Sequence, residues 1–238
     1  MANKTEHAER TEHPELALAG PGSPWRSRVV NRSLARATKR SLERGDLFVE
    51  AALNLMDEKG TTNFTVQEAC DGAGQSLRTF YMHFSGKDDL LLAVYEELYA
   101  AFVERITAEV EAIDDPLQRI AMSITAAIAQ TVAGDSKRMQ RDRALAHFRH
   151  TLTEGHAVDV AAVQVPYINL VIRLIDEAVA SGDLPPQDAG KMSFIISALK
   201  TAYLHSVLLG NDVGLDTPDP GELATFCLRG LGADPSRI

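Results

Sequence analysis

Apolar positions recur along this chain at helical spacing, and no stretch of useful length alternates in the manner of a strand. Leu47, Phe48, Ala51, Ala52, Leu55 and Met56 follow one another at i, i+4, i+8 intervals. They predict a helix from Ser41 that Gly60 ends. Thr65, with Glu68 three residues on, has the form of a capping box and opens a short second helix ending near Gly74. A third helix is expected from about Ser76 to His83. Ser85 is read as the cap of a long fourth helix, Lys87 to about Ile113, with Asp88 favourably placed in its first turn.

Five further helices follow by the same signals. They are expected over Leu117 to Ala133, Ser136 to Thr153, Ala157 to Ser181, Gln187 to Leu209 and Glu222 to Leu231. Pro116, Gly134, Gly155, Gly182, the pair Pro185–Pro186, Gly210 and Pro218 punctuate them. The fold class is therefore all-α. A polar, Pro- and Gly-containing tail is expected over residues 1–24, a basic arm with a small helical domain over 25–85, and a larger helical domain over 86–238.

Composition narrows the class. Of 238 residues, 45% are hydrophobic and 24% charged, enough apolar surface to bury a core. Two cysteines, Cys70 and Cys227, do not make a disulfide framework and point to a reducing cytoplasm. No run of 18 apolar residues predicts a membrane span, and the polar N-terminus lacks the apolar core of a secretory signal.

A net charge of −9 argues against a polyanionic partner only if it is evenly spread. It is not. Residues 26–44 carry Arg26, Arg28, Arg32, Arg36, Lys39, Arg40 and Arg44 against Glu43 alone, a local charge of +6. Residues 91–238 carry −8. On composition the basic block is equally a solvated tail or a phosphate-binding arm.

The stretch from Thr65 to Leu92, TVQEACDGAGQSLRTFYMHFSGKDDLLL, reads as helix, tight turn, helix. Gly74 stands where the chain must reverse, and glycine tolerates the positive φ such a turn often needs. Cys70 and Ala73 are small enough for two helices to cross closely. Phe80 and Phe84, four apart, can anchor one face of the second helix in the core. Arg78, Thr79, Tyr81 and His83 then suit base edges and phosphates, and Lys87 adds a phosphate contact.

The segment from about Ser41 to Leu92 resembles the DNA-binding domain of TetR-type transcriptional repressors. The strongest match is TFYMHFSGKDDLL, Thr79 to Leu91, preceded by FTVQEACDGAGQS, Phe64 to Ser76. The order of the remaining helices extends the likeness over most of the chain. Two positions depart from the pattern: Ala69 stands where the family has a larger aliphatic residue, and Gln75 where its turn has an apolar one.

The resemblance implies a homodimer that reads a double-stranded DNA operator. Each third helix would enter a major groove, with half-sites about 34–36 Å apart or somewhat more. It implies DNA contacts from Thr65, Arg78, Thr79, Tyr81, His83 and Lys87, with Arg40 and Arg44 in an arm that reaches the minor groove or flanking backbone. It also implies a C-terminal pocket for a small-molecule effector and a dimer interface built by the last two helices. Ile195 and Leu199 on one, and Phe226 and Cys227 on the other, are the interface candidates.

Phe102, Met122, Phe148, Tyr167 and Tyr203 are candidates for lining the cavity, though for any one of them ordinary core is the more usual role. The aliphatic composition and few inward charges predict a mostly apolar effector. His147, His150 and His156 have ligand-compatible spacing in part, but no carboxylate or cysteine pattern completes a site, so neither metal nor other cofactor is expected. Nucleophile-elbow, Walker, zincin and dinucleotide motifs are absent from the sequence, which argues against catalysis. Two alternatives remain on sequence alone: an all-α ligand-binding protein or enzyme without specific DNA binding, and a weakly specific architectural DNA binder.

Overall fold

A computed structural model describes residues 24–132, 136–152, 157–209 and 217–237. Among the described residues every regular element is helical. The chain divides into two units, Met1–Arg44 and Gly45–Ile238. Residues 1–23 of the expected tail lie outside the described residues.

Helix α1 spans Pro24–Lys59, well before the expected start at Ser41. The basic arm is thus helical from Pro24. Its residues explain this: no glycine or proline interrupts 25–44, and Arg, Leu and Ala are good helix formers. Apolar periodicity could not reveal it, because every described side chain up to Arg44 is exposed. Its Val30, Leu34 and Leu42 are all exposed. Within this unit Lys39 and Glu43 pair across one turn at 3.8 Å, and Arg40 Nε donates to the Arg36 carbonyl.

In the second unit, α1 continues from Gly45 and packs on α2 (Val66–Ala73) and α3 (Leu77–Phe80). Phe48, Ala52, Met56, Phe64, Cys70 and Phe80 are all fully or almost fully buried. Helix α4 (Lys87–Glu111) enters the same cluster with Leu90, Leu91 and Val94. Leu145 and Phe148 of α6 (Ser136–Leu152) and Val160 and Val163 of α7 (Ala157–Ala180) join it too. The core therefore does not divide at residue 85: the first turns of α4 are as buried as the helices that precede them.

A second cluster is built from the later half of α4, α5 (Pro116–Val132), α7, α8 (Ala189–Leu209) and α9 (Pro220–Gly230). Ile106, Ile120, Ile124, Leu174 and Ile175 lie at its centre. Helix α5 packs on α9, and α7 on α8. By length and composition α7 is apolar enough to cross a bilayer, yet Tyr167, Val171, Leu174 and Ile175 bury its face inside this core.

Caps shift several boundaries. Asp115 Oδ1 accepts from the N–H groups of Leu117 and Gln118 and starts α5 at Pro116. Asp188 Oδ1 accepts from Lys191 N–H, so α8 begins two residues later than Gln187. Asp219 and Glu222 form a capping box that starts α9 at Pro220. Ser85 is not the cap of α4. The N-cap is Gly86, and Ser85 donates its N–H and hydroxyl to Asp89 Oδ2 at 2.8 and 3.2 Å. Both cysteines are buried and free, and burial pushes both thiols up.

Candidate nucleic-acid interface and effector cavity

The Thr65 hydroxyl accepts from Glu68 N–H at 3.1 Å, and Glu68 Oε2 accepts from Thr65 N–H at 2.8 Å. This reciprocal cap fixes the start of α2. Lys59 Nζ lies 2.6 Å from Glu68 Oε1. The Lys59 contact, followed by the Thr65 bonds, holds the Glu68 carboxyl down at about 2. At the other end Gly74 adopts φ +62°, the left-handed region that favours glycine. The close approach lies two residues earlier: a Cβ on Gly72 would stand 3.2 Å from the Ala51 Cβ. The two departures from the family pattern lie in this segment. Ala69 is fully buried, and the Gln75 N–H donates to the Cys70 carbonyl at 2.9 Å.

Helix α3 is one turn long, shorter than the expected Ser76 to His83, and residues 81–83 continue as turns. Ser76 caps it by accepting from Thr79 N–H at 3.1 Å. So short a helix is marginal alone. Aromatic packing holds it: the Phe80 ring meets Phe48 edge-on at 5.4 Å, and Phe84 packs on both at 5.5 and 6.0 Å. With Phe80 locked inward, Arg78 and Tyr81 face solvent, and so do Leu77 and Met82.

The other expected contacts are placed differently. Thr79 is half-buried, with its hydroxyl 2.9 Å from that of Ser76. The half-buried His83 ring lies 6.3 Å from Phe48. Lys87 Nζ donates to the Thr62 carbonyl at 3.2 Å and sits 5.6 Å from the Phe64 ring centre, tying the α1–α2 loop to the start of α4. Arg40 and Arg44 are exposed and belong to the first unit. Leu77 and Met82 were not among the expected contacts. Both are apolar side chains that the core does not take.

A cavity of about 370 Å³ lies in the second unit between α4, α6, α7 and α8. Of the five residues expected to line it, Phe102 does. Tyr167 stands just behind the wall, fully buried, with its O–H donated to the Ser123 carbonyl at 3.0 Å. Met122 packs into the larger core, Phe148 into the smaller one, and the Tyr203 hydroxyl donates to the Pro218 carbonyl at 2.7 Å. These three serve packing because helix positions facing a neighbouring helix and positions facing a void share one periodicity.

The lining carries more charge than expected. Arg105, Arg141, Lys200 and His205 contribute to it, with Asp142 as the acidic group. Lys200 is only 5% exposed. Its ammonium sits 3.2 Å from the centre of the Tyr167 ring, 5.5 Å from Phe102 and 5.9 Å from Tyr99. Arg105 pairs with Glu109 at 2.5 Å, and Arg141 with Asp57 at 3.1 Å. A lysine amid Ser197, Ala198, Leu199 and Tyr203 was a readable signal that an apolar helix face carried a buried charge.

On the last two helices, Ile195 and Phe226 are exposed, and so is Phe194. Leu199 is half-buried against the core, and Cys227 is buried within it rather than on the outer face. Among the described residues no group of three or more His, Cys, Asp or Glu side chains could hold a metal ion. The side chains of His147, His150 and His156 lie outside the described residues.

Residues 48–94 match the model of the tetR family of bacterial regulatory proteins. The chain carries a tetR-family DNA-binding domain. The matched residues run from Phe48, the ring that holds α3, to Val94 in the buried start of α4. Two curated regulators are similar over part of their length. The fatty acid metabolism regulator protein of Bacillus subtilis (strain 168) is 21% identical over 141 residues, covering 57% of this chain and 68% of that one. The HTH-type transcriptional regulator CymR of Pseudomonas putida is 33% identical over 85 residues, covering 34% of this chain and 42% of its own length. Among solved structures, RolR in complex with resorcinol superposes with a TM-score of 0.65 at 19% identity, covering 84% of this chain and 93% of that one. The likeness to RolR is one of fold, and it extends beyond the matched residues 48–94 into the helical body.

Proposed function

We propose that this protein is a ligand-responsive, sequence-specific DNA-binding transcriptional regulator that works as a homodimer in the cytoplasm. The carrying observation is the division of labour on α3. Phe80 is locked against Phe48 and Phe84, which leaves Arg78 and Tyr81 outward on the second helix of a tetR-family helix-turn-helix. Arg78 reads a guanine edge, and Tyr81 meets phosphate. Thr79, His83 and Lys87 position the helix, with Thr65 at its flank. Arg40 and Arg44 add charge for the flanking backbone.

The exposed Phe194, Ile195 and Phe226 form the dimer face, which sets the spacing of the two reading heads. The cavity receives a small molecule, as RolR receives resorcinol. Binding favours a spacing that no longer fits adjacent grooves, so the protein represses until its effector arrives. The relatives are transcriptional regulators, and we assign this chain no catalytic step.

Selection of bound duplexes from a random pool tests the reading. A palindromic or pseudo-palindromic consensus is expected, bound at least about 10³-fold more tightly than random DNA at physiological salt. Sequence-blind binding overturns it.

A further inference from the structure

We infer that Leu77 and Met82 are specificity-determining residues that read the C5-methyl groups of thymines in the bound duplex, beside the guanine taken by Arg78. The inference rests on the regulator reading above and deepens it, from a protein that reads DNA to the chemical group it reads.

Exposed apolar surface is concentrated at this point of the fold. Among the described residues from Gly45 to Leu152, the large apolar or aromatic side chains left exposed are Leu47, Leu77, Tyr81 and Met82. Three of these four lie on α3 and the turn that follows it. Leu77 is 42% exposed and Met82 70%. Neither holds α3 in place. Ser76 caps that helix, and Phe80 and Phe84 anchor it on Phe48.

A major groove offers such side chains one kind of partner. Base edges present hydrogen-bond donors and acceptors, and the strand margins present phosphates. The thymine methyl is the apolar group on the groove floor. Leucine and its contacts carry no donor to satisfy, so Leu77 gains by covering a methyl group and loses by covering a polar edge. Met82 stands in a turn, and its unbranched thioether chain adapts to a contact that no helix register fixes. The neighbours fit the same occupant. Arg78 follows Leu77, and Tyr81 precedes Met82, both exposed, so each apolar side chain is flanked by a group suited to a guanine edge or a phosphate.

The register follows from the chain. Consecutive Cα atoms stand about 3.8 Å apart, and base pairs rise about 3.4 Å. The thymine read by Leu77 therefore lies on the base pair next to the guanine read by Arg78.

Uracil tests this on the full chain, because it pairs as thymine does and lacks only the methyl group. In a duplex carrying the consensus from the random pool, each thymine is replaced in turn, in both half-sites. Next to the position whose preference Arg78→Ala relaxes, uracil should weaken binding at least about threefold, the scale of one methyl group returned to water. Leu77→Ser should bring the thymine-to-uracil affinity ratio there close to one, and Met82→Ser should do so at a second thymine of the half-site. Both side chains are exposed, so both variants should fold, which circular dichroism checks. A consensus without thymine beside that guanine, or uracil duplexes that all bind as tightly as thymine ones, overturns the inference. A ratio unchanged in Leu77→Ser strikes Leu77, and one unchanged in Met82→Ser strikes Met82. In each of these cases a selected consensus leaves the regulator reading standing. A pool that yields no consensus at all overturns that reading, and this one with it.

Discussion

Arg141 Nη1 donates to both carboxylate oxygens of Asp57, at 3.1 and 3.2 Å. Asp57 stands near the end of α1, in the helix that carries Phe48 and so supports the reading helix. Arg141 lines the cavity from α6. One ion pair therefore joins the wall of the cavity to the frame of the helix-turn-helix. Its Nε is buried without a hydrogen bond, so the guanidinium is not fully satisfied as it stands. The Arg141 side chain is 15% exposed and that of Asp57 37%, so the pair is shielded more than a surface pair. A double-mutant cycle of Arg141→Ala and Asp57→Ala should give a coupling of about 0.5–3 kcal/mol in denaturant unfolding. A coupling near zero would show that the contact holds nothing together.

The reading helix offers a sharper contrast. Arg78 and Tyr81 are exposed, so Arg78→Ala and Tyr81→Ala should leave thermal stability within about 0.5 kcal/mol. Arg78→Ala should nevertheless cost about 1–3 kcal/mol of operator affinity and relax the preference at one base pair. Phe80→Ala should do the opposite in kind. It removes the ring that holds α3 on Phe48 and should cost about 3–5 kcal/mol of stability. Fluorescence anisotropy on labelled duplexes, beside denaturant titration, separates the two behaviours.

The reading domain was legible in the sequence because its signals are local. Thr65 and Glu68 announce a cap within four residues, and Phe80 and Phe84 announce an inward face within one turn. Gly74 marks the turn by its own chemistry. The cavity was less legible. Phe102 and Met122 look alike in sequence, yet one faces a void and the other a neighbouring helix, and that difference depends on how four helices are spaced. Lys200 is hidden when charge is counted by segment, because one lysine vanishes in an acidic body. The helix over residues 24–40 is hidden for the converse reason: its described apolar side chains, Trp25, Val29, Val30 and Leu34 among them, are exposed and leave no periodic trace.

Stability toward acid should carry the mark of Glu68. Its carboxyl is held at about 2 in the folded chain, against an ordinary value of 4.5. A group with a lowered folded pKa contributes stability that is present above its unfolded value and lost as pH falls through the folded one. The contribution is therefore intact at neutral pH and fades between about 4.5 and about 2. Glu68→Gln removes the titration but keeps a side-chain oxygen able to accept from Thr65 N–H. The stability difference between the two proteins should shrink across that window and be smallest at its acid end. A difference that stays constant with pH would place the Glu68 contribution in shape rather than charge.

The two glycines of the helix-turn-helix should respond by different mechanisms. A methyl group on Gly74 would stand in open space, but φ there is +62°, so the cost of a side chain is conformational. Gly74→Ala should destabilise by about 1–2 kcal/mol, and Gly74→Asn by less, because asparagine tolerates that conformation. Gly72 lies inside α2, where alanine is the better helix former by about 1 kcal/mol, but its new methyl would press on Ala51 at 3.2 Å. Shortening the partner in Ala51→Gly should therefore make Gly72→Ala more favourable than it is in the unmodified chain. Thermal unfolding of the four combinations reads this directly, and additive effects would show that the contact relaxes freely.

In the dimer proposed above, the outer face of the last two helices sets whether two reading heads act together. Phe226 is 64% exposed and Phe194 69%, large rings left to solvent on a chain whose phenylalanines at 48, 64, 80 and 148 are buried. Exposed apolar surface of this kind is costly unless another surface covers it, and a second copy presents the same rings in a two-fold arrangement. Cys227 is the next residue on α9 but points into the core, so it reports on folding rather than on the interface. Phe226→Asp places a carboxylate in the face without touching that core. It should give a folded monomer by light scattering, with operator affinity reduced roughly 10²-fold or more because each reading head then binds its half-site alone. Cys227→Ser should lower stability and leave the dimer intact. A Phe226→Asp protein that remains dimeric would move the interface off α9.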